Sequence, residues 1–305
     1  METFNIVIFI IFLGPGGVFM KYLEATALGR ERYRLGEGPC YDPVTGMISW
    51  VDITANTLWT MHKNGVREPF VFDQPIGAAV PVKGSSGFLL AAKDGLYLYE
   101  EGKTRLILDL KETYRDFWRS NDAKADPAGR LWFGASVGDD EHEADGNLYR
   151  LSEGQLKIMQ AGTKISNGMA WSSDRTRFYF SDTLKYAVFV YDYDLKTGEI
   201  RNGRPLCTYE DGNGFSDGLC IDCDDNLWIA IWGGNRVEKR SGKTGEKLAE
   251  IHVPSRNVTS CCFMGDKMDT LLITTSGDGL EGAGEGCLYT CKTDAVGPAP
   301  DKAVL

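Results

Sequence analysis

The chain of 305 residues holds only three histidines, His62, His142 and His252, and eleven prolines. Three scattered imidazoles cannot complete the ligand sets of zinc fingers or ribbons. Positive charge is also short, since 33 Lys and Arg against 43 Asp and Glu leave a net charge of −10. A phosphate-backbone partner needs a basic excess on at least one face, so nucleic acid is not an expected partner. No apolar run reaches the ~20 residues of a membrane span. The uncharged stretch from Thr3 to Met20 is broken by Gly14-Pro15-Gly16-Gly17, and Glu2 stands where a signal peptide carries basic residues. Stable membrane association is therefore not expected. Residues 1–19 read as an N-terminal extension: upstream sequence ahead of a start at Met20, a signal or anchor, or a docked strand or helix. Residues 20–305 read as one domain.

Cysteine is present but sparse. Eight thiols (Cys40, Cys207, Cys220, Cys223, Cys261, Cys262, Cys287 and Cys291) are too few for a disulfide scaffold in a chain this long. Cys220-x-x-Cys223 imitates half a zinc site, yet the residues around it read as a strand. Buried free thiols are expected, which fits a reducing cytoplasm. Glycine is abundant instead: 36 of 305 is about 12%, against an average of ~7%. With 43% hydrophobic and 25% charged residues, the chain has ample material for a core. Many turns and many aromatic residues point to short strands.

Those strands recur. Ile48–Asp52, Phe88–Ala92, Leu131–Ala135, Phe178–Asp182, Leu227–Ile231 and Leu271–Thr275 share one pattern, and their starts are 40, 43, 47, 49 and 44 residues apart. A second strand follows most of them, as in Thr57–Met61, Leu96–Glu100 and Val188–Asp192. Strand repeats of this period, with no sustained helical periodicity between them, are the signature of a β-propeller. Six repeats predict an all-β, six-bladed β-propeller, with nearly every Trp, Tyr and Phe of these strands packing between blades.

Ten to twelve residues ahead of each repeat strand lies an equivalent position, occupied by Glu37, Ile76, Asn121, Asn167, Asp217 and Ser260. Pseudo-symmetry places these residues just ahead of the inner strands, in a ring at one mouth of the central channel. Four of the six aim carboxylate or amide oxygens at one point. Such oxygens suit one hard divalent cation, calcium first, with magnesium, manganese or zinc also accepted. Asn and Asp before Gly are common turn formers, but four at matched offsets favour a site.

The stretches Leu35-Gly-Glu-Gly-Pro39, Arg119-Ser-Asn-Asp-Ala-Lys-Ala-Asp-Pro-Ala-Gly-Arg130, Ile165-Ser-Asn-Gly-Met169, Tyr191-Asp-Tyr-Asp-Leu-Lys-Thr-Gly198, Ser216-Asp-Gly-Leu-Cys-Ile-Asp222 and Thr259-Ser-Cys-Cys-Phe263 resemble the SMP-30/gluconolactonase/regucalcin-like family, from about residue 35 to about 291. The resemblance implies a six-bladed propeller, metal ligation by Glu37, Asn167 and Asp217, and substrate contacts from Arg119 and Asn121. It also implies opening of a small sugar lactone by hydrolysis. In that chemistry the cation polarises the carbonyl and acidifies water. Asp217 would serve as general base, and Arg119 would stabilise charge on the carbonyl oxygen. One departure concerns specificity. Where animal members place a substrate-facing Glu, this chain has Asp139 followed by Asp140 and Glu141, a run that reads equally as a substrate contact or a solvated loop.

Competing motifs fail on context. Gly214-Phe-Ser216-Asp-Gly218 matches a serine-esterase elbow but lacks the helix that must follow. Gly277 to Gly282 fits a dinucleotide fingerprint without room for its helix. Two alternatives to the lactonase remain: a non-catalytic calcium-binding regulatory propeller, and a metal-dependent esterase or phosphotriesterase with a non-sugar substrate. Oligomeric state is not legible in the sequence.

Overall fold

Short apolar strands that alternate in character must bury both faces of the sheets they form, and a blade cannot do so alone. The computed structural model describes residues 9–11 (backbone only), 20–116, 118–137, 146–210 and 212–305. It arranges the strands as six sheets, antiparallel except for one added parallel edge strand, in a six-bladed β-propeller. The innermost strands are Gly36–Asp42, Ile76–Pro81, Trp118–Ala125, Ser166–Trp171, Phe215–Ile221 and Asn257–Met264. Each packs against the next, and the sixth against the first, so the ring is closed. The described residues contain one 3₁₀ turn, Thr183–Lys185, and no α-helix. None of them forms a helix long and apolar enough to cross a membrane.

The repeat strands read from the sequence are real, but they are the second strand of each blade; a further strand lies inside each. For example, Val80 pairs with Leu89 and Met169 with Phe180. The core follows from this layout. Six apolar clusters form, each straddling two adjacent blades. Trp132 and Leu148 of blade three meet Trp171 and Phe178 of blade four, and Trp50 and Ile48 of blade one meet Leu272 of blade six. Inter-blade packing therefore accounts for the aromatic residues, as expected.

Two termini lock the ring. Thr26–Ala27 pairs with Tyr289–Thr290, so the beginning of the described propeller supplies the outer strand of the last blade. Met20–Glu24 runs parallel to the outer strand of blade five, Lys247–His252, and Phe9–Ile11 pairs antiparallel with Met20–Tyr22. At the other end, Ala303 bridges to Val82 of blade two.

The eight cysteines are free. Cys207, Cys261, Cys287 and Cys291 are buried as expected, but Cys40, Cys220 and Cys262 are only half-buried and Cys223 is exposed. The reason is positional: the first three lie on innermost strands, whose faces border the open channel.

Candidate functional site

All six innermost strands break register with their neighbour at the same level. The shifts fall between Glu37 and Cys40, Ile76 and Ala78, Ser120 and Ala123, Ser166 and Met169, Ser216 and Leu219, and Val258 and Ser260. A β-bulge releases a residue from strict alternation and re-aims its side chain. The ring positions thus sit inside the innermost strands at their bulges, not ahead of them. The bulges also bring blades close together. A Cβ on Gly77 would lie 2.3 Å from the Ser120 carbonyl oxygen and 2.4 Å from that of Asn121. Only glycine admits that approach.

Glu37 and Asp217, contributed by blades one and five, are both buried, and the charge of Glu37 bears on Asp217. Buried carboxyls that feel each other's charge favour the protonated form. Burial, with the Asp122 charge adding to it, pushes Glu37 up to about 8. Burial, then Glu37 and Asp122, raises Asp217 well above the usual carboxylate range. Glu37 Oε2 also accepts the Gly38 N–H at 2.7 Å. Arg119 lies near both carboxyls; burial draws its guanidinium below the ordinary value, and the two acids oppose that shift.

Arg119 begins a chain of hydrogen bonds across three blades. Its Nη1 donates to Asn121 Oδ1 at 2.6 Å and to the Ser120 carbonyl at 3.0 Å. Asn121 Nδ2 donates to Asn167 Oδ1 at 3.1 Å and to the Ser166 carbonyl at 2.9 Å. Asn167 Nδ2 donates to Thr183 Oγ1 at 2.8 Å, and Thr183 Oγ1 donates at 2.8 Å to the carbonyl of Ser216, next to Asp217. Asn121 thereby fixes the directions of both Arg119 and Asn167. The two remaining ring positions are not polar partners of this kind: Ile76 is fully buried, and Ser260 lines the channel.

Asp122 was not singled out by the sequence pattern, yet its charge acts on both Glu37 and Asp217. Its only signal was its place beside Asn121; the register skip from Ser120 to Ala123 puts both residues in one bulge. Asp139 lies outside the described residues. Ser216 is fully buried, accepts a bond from Ser181 Oγ at 2.8 Å and lies in a strand, so the esterase elbow is absent. Among the described residues no three His, Cys, Asp or Glu groups lie at metal-holding spacing. The donors fit a hard cation in another way: two buried carboxyls that disfavour each other's negative charge, plus the amide oxygen of Asn167. A cavity of about 410 Å³ occupies the channel beyond the bulges, and none of Glu37, Arg119, Asn121, Asn167 or Asp217 lines it.

The chain has relatives among known proteins. Residues 35–277 match the family model described as the SMP-30/Gluconolactonase/LRE-like region. Regucalcin of Gallus gallus is 32% identical over 272 residues, covering 86% of this chain and 90% of that protein. A Bacillus subtilis (strain 168) protein provisionally named sugar lactone lactonase YvrE is 31% identical over 257 residues, covering 83% and 87%. The crystal structure of a regucalcin from Agrobacterium tumefaciens str. C58, described as a calcium-binding protein, superposes with a TM-score of 0.87 at 26% identity, covering 93% of this chain and 98% of that one.

Proposed function

The chain belongs to the SMP-30/Gluconolactonase/LRE-like family, and from that premise we propose that it is a divalent-metal-dependent hydrolase that opens small sugar lactones. The observation that carries the reading is the buried Glu37–Asp217 pair with Arg119 beside it. Unpaired, two such carboxylates repel each other and resist desolvation. A cation held by both removes that conflict. Glu37, Asn167 and Asp217 would hold the ion, calcium first among the candidates, with magnesium, manganese or zinc also chemically acceptable. When bound, a divalent cation supplies charge that polarises an ester carbonyl and lowers the pKa of water.

The chain's own residues carry the remaining work. Asp217, freed of its proton, is placed to take one from the attacking water. Addition of that water to the carbonyl carbon and cleavage of the ring C–O bond, with a proton passed to the leaving alkoxide, give a hydroxy acid, which ionises to its carboxylate and releases one proton. Arg119 stabilises negative charge developing on the carbonyl oxygen. Asn121, tied to both Arg119 and Asn167, keeps the guanidinium aimed at that oxygen and contributes to the substrate-facing surface. Asp139 is the proposed contact to the sugar hydroxyls. The substrate is a small molecule, and the reading invokes no nucleic acid or membrane.

Hydrolysis of D-glucono-1,5-lactone, followed by proton release with and without chelator, tests this reading. Asp217→Ala should abolish turnover and ion binding together. Arg119→Ala should keep ion binding and lower kcat roughly 10²–10³-fold, the usual loss for a group that stabilises an oxyanion. The similarity to proteins named regucalcin favours a second reading, a calcium-binding propeller without catalysis. In that case the ion binds tightly, no member of a lactone panel turns over, and Arg119→Ala changes nothing measurable. Turnover of phosphotriesters in preference to lactones would point to the esterase alternative.

A further inference from the structure

The sulfurs of Cys220 and Cys261 lie 3.6 Å apart. Their closeness follows from the way blades five and six meet. Cys220 is on the innermost strand of blade five, Phe215–Ile221, and Cys261 on that of blade six, Asn257–Met264. The two backbones approach just ahead of the pair, where a Cβ on Gly218 would lie 2.1 Å from Ser260 Oγ and 2.8 Å from the Thr259 carbonyl oxygen. Cys261 then reaches toward the second strand of blade five, and its Sγ donates to the Trp228 carbonyl at 3.3 Å. With that proton committed, the Cys261 sulfur is left to accept from Cys220.

The two thiols differ in access. Cys261 is 1% exposed, inside the apolar cluster that holds Trp228 and Phe263. Cys220 is half-buried and lines the channel cavity, which is partly open to solvent. A small solute in the channel therefore meets Cys220 first. Cys40 and Cys262 line the same cavity, but among the described residues Cys220 and Cys261 are the one pair of thiols in hydrogen-bond contact. Disulfide sulfurs are about 2.05 Å apart, so a movement of about 1 Å or less by each side chain closes the gap.

We infer that Cys220 and Cys261 form a site of covalent modification, at which a hydroperoxide entering the channel oxidises the two thiols to a disulfide that joins blade five to blade six. The Cys220 thiolate attacks one peroxide oxygen, the O–O bond breaks, and the departing oxygen leaves as water or an alcohol, giving a sulfenic acid at Cys220. The Cys261 sulfur then displaces hydroxide from that sulfenic acid, and the hydroxide takes up the Cys261 proton to leave as water. Two thiols are oxidised and one peroxide is reduced. Burial pushes the Cys220 thiol well above its ordinary range, so little thiolate is present at neutral pH and the reaction is slow. The crosslink fastens the strand that carries Asp217 to its neighbour, and it does not depend on the proposed lactone chemistry.

Hydrogen peroxide is the probe. The full chain, reduced and freed of reductant, is incubated with it for hours, alkylated, and its proteolytic fragments are sequenced by mass spectrometry. Fragments joined through Cys220 and Cys261 are expected, lighter together by two hydrogens than the reduced pair and separated again by dithiothreitol. Cys220→Ser should abolish the link, and Cys262→Ser should keep it. Closing a loop of about 40 residues constrains the unfolded chain, so the crosslinked protein should melt several degrees higher than the same peroxide-treated sample after dithiothreitol. If either serine variant folds poorly, fragment mapping of the unaltered protein decides alone. Cys220 and Cys261 both still alkylated after peroxide, a link from Cys220 to Cys40 or Cys262 instead, or a crosslinked protein that melts no higher would each overturn the inference.

Discussion

A carboxyl group in a buried setting beside other acids keeps a proton that a carboxylate in water gives up. For Glu37, held up to about 8 chiefly by burial and next by the Asp122 charge, the sign of the effect is determined. An acid kept protonated by the fold contributes stability below its ordinary value near 4.5 and loses it as pH rises through about 8. The ion-free protein should therefore melt at a lower temperature near pH 8 than near pH 5 in this respect, a difference that thermal scans of Glu37→Gln should show reduced. A bound cation must displace the same proton. Calcium affinity should rise roughly tenfold per pH unit between about 6 and 8 and then level off, as read by calorimetry in buffers of different ionisation heat. An affinity flat across that window would exclude displacement of a proton from Glu37. At this scale Glu37, Asn121, Asn167 and Asp217 were legible because four oxygen-bearing residues recur at matched offsets. Asp122 was not, because its partnership with Glu37 exists only once the bulge has turned the strand.

The turn between the first two strands of a blade is held by an aspartate used twice in nearly the same way. Asp126 is fully buried and accepts the N–H groups of Ala128 and Arg130 at 2.9 and 3.0 Å, Arg130 Nε at 2.7 Å, Trp132 Nε1 at 3.0 Å and Tyr193 OH at 2.8 Å. Asp222 repeats the arrangement with the Asn226 N–H at 2.8 Å and Trp228 Nε1 at 3.2 Å. Because Tyr193 belongs to the next blade, Asp126 joins two blades as well as two strands. Asp126→Ala leaves several buried donors and the Arg130 charge without a partner, and should cost about 3–5 kcal/mol in urea unfolding; a loss below about 1 kcal/mol would show that water replaces the carboxylate. Elements of this kind were half visible in the sequence. Second and third strands announce themselves by aromatic and aliphatic alternation. Inner strands are harder to place because they are buried along their length, as in Ile76–Pro81, and outer strands such as Lys103–Asp109 are largely exposed and polar. Spacing alone does not rank strands by distance from the axis.

The closed ring is a property of the whole chain, and the two-residue strand Thr26–Ala27 that seals it carries no sequence signal of its own. Leu23 and Ala25, in the adjoining segment, are buried in the cluster that holds Trp228, Ile251 and Phe263. Removing residues 1–29 strips the outer strand of the last blade and exposes that cluster. Burial of a leucine alone contributes roughly 2–3 kcal/mol, so the truncated protein should melt at least 5 °C or so lower, on the scale of about 2–4 °C per kcal/mol for a large domain. An unchanged melting temperature would mean that the seal contributes little. Strand Thr26–Ala27 can find Tyr289–Thr290 only after nearly all of the polypeptide has left the ribosome. Until then the first segment has no place in the ring. Blades one and five, which supply Glu37 and Asp217, meet through the last blade to be synthesised, so a nascent chain has the residues of the site but not yet the site itself.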